Sequence, residues 1–137
     1  MKIDSDKIIV NASQQKVYEF LTNAENIGKL LPDEAKDFKG SENECSFKVQ
    51  GGITISLIQE ALKATEEIQM KSGEKSPFPF KLSIYLQEIS DTKTEGYIAF
   101  DGEVNTFLQM MVKKPLTNLF NYMANKLKKN FEGDIEI

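Results

Sequence analysis

Hydrophobic residues along this chain change their spacing in a fixed order, and that order restricts the fold more than any single motif does. Ile8 and Val10 alternate with polar or opposite-facing neighbours, marking a strand over 7–12. Helical spacing follows at once. Ser13 is a candidate N-cap, and Val17, Phe20 and Leu21 stand at i, i+3 and i+4 behind it. Asn23 is a second candidate cap. Ile27, Leu30 and Leu31 repeat the spacing until Pro32, which disfavours helical dihedrals in the residue before it. Two short helices in tandem are expected here.

The period then becomes two. Cys45, Phe47 and Val49 alternate with polar residues, and Gly51-Gly52 reads as a hairpin loop. Ile53, Ile55 and Leu57 continue the pattern, then Ile68 and Met70, then Phe80, Leu82, Ile84 and Leu86, then Thr94, Gly96, Ile98 and Phe100. Clean alternation means one buried and one wetted face, which is antiparallel behaviour. Ser76-Pro77-Phe78-Pro79 reads as a connection, since neither proline can donate to a ladder. From Asn105 the helical period returns. Phe107, Met110, Met111, Leu119, Phe120, Met123 and Leu127 are read as one apolar stripe facing the sheet, with a bend expected at Pro115. The tail 133–137 is expected to fray. Pairing the apolar faces predicts one α+β domain over 1–137, a strongly curved antiparallel sheet around a long C-terminal helix.

Composition removes several functions. All 17 basic residues are lysine, there is no histidine or tryptophan, and the net charge is −4. Without arginine the chain lacks the planar fork that grips phosphate and guanine, so no nucleic-acid partner is expected. Without histidine it lacks the usual general base and the commonest metal ligand, so no catalytic residue, cofactor or metal is expected. A single cysteine, Cys45, cannot form an internal disulfide, and no secretory h-region opens the chain, so a cytoplasmic location is expected. No run of apolar residues is long enough for stable membrane insertion.

The opening Ile8-Ile9-Val10-Asn11-Ala12-Ser13 with Val17-Tyr18 and Phe20-Leu21 resembles the N-terminal signature of the START-like helix-grip superfamily, which includes polyketide cyclases and the plant pollen-allergen family. Asn26 to Pro32 resembles the segment that ends the second helix there. Leu31-Pro32, the Phe47 to Gly52 hairpin and the C-terminal Leu127 and Phe131 are similar to the branch named for the G-subunit of carbon monoxide dehydrogenase. The resemblance implies a sixth strand after the helices, placed over 35–40, and so a seven-stranded sheet. It implies a cavity between sheet and last helix that takes lipid-like or polyketide-like molecules. It supplies no catalytic residue.

On this reading the cavity lining is Phe47, Ile55, Leu57, Met70, Leu82, Ile84, Ile98, Phe100, Met110, Met111, Lys114 and Phe120, with Lys114 at the mouth. The same apolar set also describes a filled core. Three functions follow: non-enzymatic binding of a small apolar molecule, an accessory role contacting a protein or membrane partner, or a cyclase- or hydrolase-like activity. Thr94 and Ser72 are inward hydroxyls, expected to bond nearby backbone. Cys45 reads as a buried thiol. Glu66-Glu67 and Asp33-Glu34 do not read as acid/base pairs, because strand neighbours point to opposite faces and a loop is solvated.

Overall fold

The computed structural model describes residues 1–49 and 51–132; the tail expected to fray lies outside them. The chain begins with two short strands, β1 (Lys2–Asp4) and β2 (Ile8–Val10), both antiparallel to the same later strand, β8 (Lys93–Gly102). The break between them is bridged by Ser5. Its N–H donates to the Ile98 carbonyl at 2.8 Å, and the Ile98 N–H donates to Ser5 Oγ at 2.8 Å, so a side chain continues the ladder. A three-residue strand carries too little alternation to announce itself, which is why β1 is not legible beforehand.

Helix α1 (Gln14–Thr22) starts where the Lys16 N–H donates to Ser13 Oγ. The second short helix, Ala24–Leu30, is a 3-10 helix whose Asn23 cap accepts from Glu25 N–H. In that geometry residues three apart eclipse. Ala24, Ile27 and Leu30 therefore fall on one line, and all three are buried.

Next come β3 (Lys36–Gly40), β4 (Glu44–Val49), β5 (Ile53–Lys63), β6 (Glu67–Ser72) and β7 (Phe80–Ser90), giving the order β1-β8-β7-β6-β5-β4-β3 with β2 also on β8. Among the described residues the sheet thus has eight strands rather than seven, and the strand expected over 35–40 is β3. Along β3 the register shifts between Lys36 and Lys39, and Asp37 has φ 55°. This irregularity lays Phe38 on Phe47, ring centroids 6.5 Å apart. Gly28 and Gly40 make room for it: a Cβ at either would come within 2.8 Å of the Phe38 ring. The β4–β5 hairpin closes on Val49 and Ile53, and Gly51 and Gly52 both take positive φ, where a side chain would be strained.

The inward residues of β4 to β8 share one apolar core with the last helix, α2 (Thr106–Glu132), which runs nearest β1, β2 and β8 and whose first turn is capped by Asn105: Leu108 N–H donates to Asn105 Oδ1 at 2.8 Å. The helix continues through Pro115. Its buried line is Val112, Leu116, Leu119, Phe120, Met123, Ala124, Leu127 and Phe131. This corrects the single stripe read from sequence. Phe107, Met110 and Met111 are 75%, 80% and 60% exposed. The reason is phase: at 3.6 residues per turn, nine positions set Met110 about 180° from Leu119. One straight helix cannot send both toward the sheet.

Candidate functional site

The space between sheet and helix, where the resemblance places a ligand, is filled. Phe47, Ile55, Leu57, Met70, Leu82, Ile84, Ile98, Phe100 and Phe120 are all buried. One end is packed with rings: Phe80 and Phe100 lie 5.0 Å apart, Phe100 and Phe120 5.2 Å, and Phe78 meets Phe100 edge-on at 6.3 Å. By sequence Phe78 reads as part of a connection. It is buried, because the strand-free Ser76–Pro79 stretch folds its phenyl ring onto the cluster. At the other end, among Ile8, Ile84, Ile98, Met123 and Leu127, the remaining void is about 10 Å³ and lined only by apolar surface. That is at the limit of what one water needs, and it offers no polar partner.

A further cavity lies at the rim. Where α2 passes Pro115, a half-open pocket of about 280 Å³ separates it from the segment after the 3-10 helix and the end of β4. Pro32, Ala35, Val49, Pro115 and Leu119 form its apolar walls, and Glu34, Asn118 and Tyr122 supply polar groups. Sequence reasoning places Val49 inward but does not assemble this set. Its one signal is the pair of prolines, each of which removes a backbone donor and stiffens its segment.

Met110, Met111 and Lys114 do not join the concave lining expected of them. Met110 and Lys114 border an open groove of about 800 Å³ on the outer side of α2, shared with Thr106, Lys113, Thr117 and Asn118. Asn118 borders both the groove and the rim pocket. The long polar side chains following the methionines carry that face into water, so the expected mouth lysine is a surface lysine.

Other polar candidates resolve into local bonding. Thr94 Oγ1 donates to the Ala12 carbonyl at 2.9 Å in a fully buried position, and Phe80 N–H donates to Ser72 Oγ at 3.1 Å. Glu66 is exposed in the turn before β6, while Glu67 is buried and accepts from Gln69; contrary to the expectation of opposite faces, both border one open groove beside Tyr85 and Tyr97. Asp33 and Glu34 are exposed loop residues. Burial, with the Glu44 charge adding to it, pushes the Cys45 thiol up to about 12, so the nucleophilic thiolate is scarce at neutral pH. Among the described residues no group of three or more Cys, Asp or Glu side chains is placed to hold a metal ion. No helix among them is long and apolar enough to cross a membrane.

The chain's shape recurs widely among solved proteins. The Zhui aromatase/cyclase from Streptomyces sp. R1128 superposes with a TM-score of 0.76 at 11% identity, over 99% of this chain and 96% of that one. A START superfamily protein from Mycobacterium smegmatis gives 0.75 at 16% identity, over 96% and 97%. XoxI from Bacillus cereus gives 0.72 at 13% identity, over 99% of both chains. At such identities the likeness is one of fold, the START-like helix-grip. No curated protein matches the sequence. One family profile does, over residues 7–136 and therefore nearly the whole chain, and by it this protein belongs to the CoxG family, that of the carbon monoxide dehydrogenase G-subunit.

Proposed function

We propose that this protein binds a small apolar molecule, lipid-like or polyketide-like, without transforming it, and that the molecule enters at the rim pocket beside Pro115. The observation that carries this reading is the pocket itself. In it the end of the sheet, through Val49, and α2, through Leu119, form facing walls of one half-open pocket. Its volume of about 280 Å³ is near the lower end of small-molecule sites. Apolar walls would take the body of the ligand. Asn118 and Tyr122 would take a hydroxyl or carbonyl at the solvent end. A ligand larger than the pocket must displace α2 from the sheet, and Pro115 favours that point. Lacking an N–H, it leaves the Met111 carbonyl without its helical partner.

A second reading, an accessory role in a larger assembly, is favoured by the filled interior and by the family's name, which describes one component of an enzyme. The two are separated by a thermal-shift screen of fatty acids, isoprenoids, sterols and aromatic polyketides, set against nucleotides and short DNA. A ligand that prefers the folded state raises the melting temperature. Stabilisation by an apolar class, insensitive to salt, supports the binding reading. Stabilisation by nucleotides or DNA alone overturns it. No shift from any class, together with native mass spectra free of bound small molecules, replaces it with the accessory reading.

A further inference from the structure

We infer that a groove on the outer face of the sheet, beside Tyr85 and Tyr97, binds an aliphatic polyamine. The side of the sheet turned away from α2 is largely wetted, and one residue there departs from the pattern. Glu67 stands on the outward side of β6, where Ile68 and Met70 point inward, yet it is only 8% exposed. A carboxylate is seldom so buried unless a cation is paired with it. Among the described residues Glu67 is in no ion pair. Its Oε2 accepts from the neutral Gln69 amide, and its Oε1 takes no hydrogen bond. Since no buried side-chain oxygen among them lacks a partner, Oε1 reaches open space, and the groove is the space that Glu67 borders.

The register shows what stands beside it. Glu67 of β6, Tyr85 of β7 and Tyr97 of β8 form one cross-strand row. The two rings stack, with centroids 5.2 Å apart. One outer face of the stack already holds a cation: Lys7 Nζ lies 5.5 Å from the centroid of Tyr97. The other outer face, on Tyr85, lies on the β6 side, where Glu67 follows in the row. An ammonium there would meet a ring face and a carboxylate together. Lys63, opposite Glu67 across β5 and β6, borders the groove without pairing with either. Burial, then Tyr85, Asp4 and Glu67, raise the Tyr97 phenol above its ordinary range, so negative charge gathers along this row.

Extent and charge select the ligand. The groove encloses about 460 Å³ and continues from Glu67 to Glu95, with exposed Glu66 at its edge. Three carboxylates against Lys63 leave its rim at net −2. No three acids are placed to hold a metal ion among the described residues, so the charge is spread rather than convergent. Two strand spacings and two residues of rise set Glu67 and Glu95 roughly 12 Å apart. Two separated carboxylates with aromatic edges between them suit a chain of methylenes with an ammonium near each end. The inference concerns the face opposite α2 and is independent of the rim pocket.

Amide NMR titration of the full chain with spermidine, putrescine and butylamine at near-physiological salt tests it. Spermidine should shift the amides of Glu67, Tyr85, Gln87 and Glu95 and bind roughly tenfold or more tightly than butylamine, which has one ammonium. Glu67→Gln keeps the shape and an acceptor for Gln69, should melt as the parent does, and should weaken spermidine roughly tenfold. Tyr85→Leu should weaken it roughly fivefold. Lys63→Gln, which removes a competing cation, should tighten it. Glu19→Gln with Glu103→Gln, two exposed acids elsewhere, should leave it unchanged. Shifts scattered over the other acidic surfaces overturn the inference, as do equal affinities for spermidine and butylamine or undiminished binding by Glu67→Gln. Tighter binding of a lysine-rich peptide than of spermidine would assign the groove to a basic segment of another protein instead.

Discussion

Phe100 of β8 and Phe120 of α2 lie with their ring centroids 5.2 Å apart and their planes tilted by 35°. This is where the sheet holds the helix, and both rings are almost fully buried. Offset aromatic contacts of this kind add to the area they bury. Phe120→Ala should therefore destabilise the protein by about 3–5 kcal/mol, read as a lower midpoint in urea unfolding. A loss under ~1 kcal/mol would mean the interior collapses freely around the gap, contrary to tight filling.

Thr94 is a hydroxyl at zero exposure, donating to the Ala12 carbonyl just before α1. Thr94→Val keeps the shape and removes the donor, leaving that carbonyl desolvated without this bond. The expected cost is about 1–3 kcal/mol. Thr94→Ser keeps the hydroxyl and loses only a methyl, so it should cost less. Chemical denaturation of the two variants side by side checks the order.

Cys45 has its thiol raised from an ordinary 9.0 to about 12 by burial and by Glu44. Between those values the unfolded chain gives up this proton while the folded one keeps it. Stability from this group is therefore complete below about pH 9 and is lost as pH rises toward 12. The slope attributable to it is about 1.4 kcal/mol per pH unit at most. Cys45→Ala should flatten the alkaline limb of a stability–pH curve by that amount. At pH 8 the native thiol should resist a disulfide reagent that reacts promptly after unfolding.

Ala35 is half-buried on the wall of the rim pocket. Ala35→Trp would fill that pocket from its exposed side without disturbing the interior. Thermal stabilisation by an apolar ligand should disappear, while the melting temperature of the free protein should stay within a few degrees of the parent. Retained stabilisation would show that the ligand enters elsewhere.

Much of the fold is legible in the residues. Period-two spacing marks β4 to β8 by their inward sides, and Ser13 and Asn23 mark both short helices. Four features are not. Strand β3, exposed along its whole length, is placed over 35–40 only by the resemblance. The strand β1 is too short for a period. The Phe78 ring enters the core from a segment whose two prolines mark it as a connection. The outer stripe of α2 merges with the inner one in a linear reading, although the phase difference between Met110 and Leu119 is present in the spacing. Of the expected lining, the strand residues and Phe120 are buried together, but burial leaves them little room to hold a ligand. The open rim depends on how a loop and a helix approach each other, and no periodicity encodes that distance.

Ser5 and Ile98 exchange their bonds across a sequence separation of 93 residues. Every partner that β1 and β2 possess in the sheet lies on β8. A chain made from its N-terminus must therefore carry Ile3, Ile8 and Val10 unpaired until 93–102 has been synthesised. The β7–β8 hairpin forms locally, but sealing this edge means closing a loop of most of the molecule, and contacts so distant slow folding. Before that edge is sealed, the concave face that the finished fold fills stands open on one side.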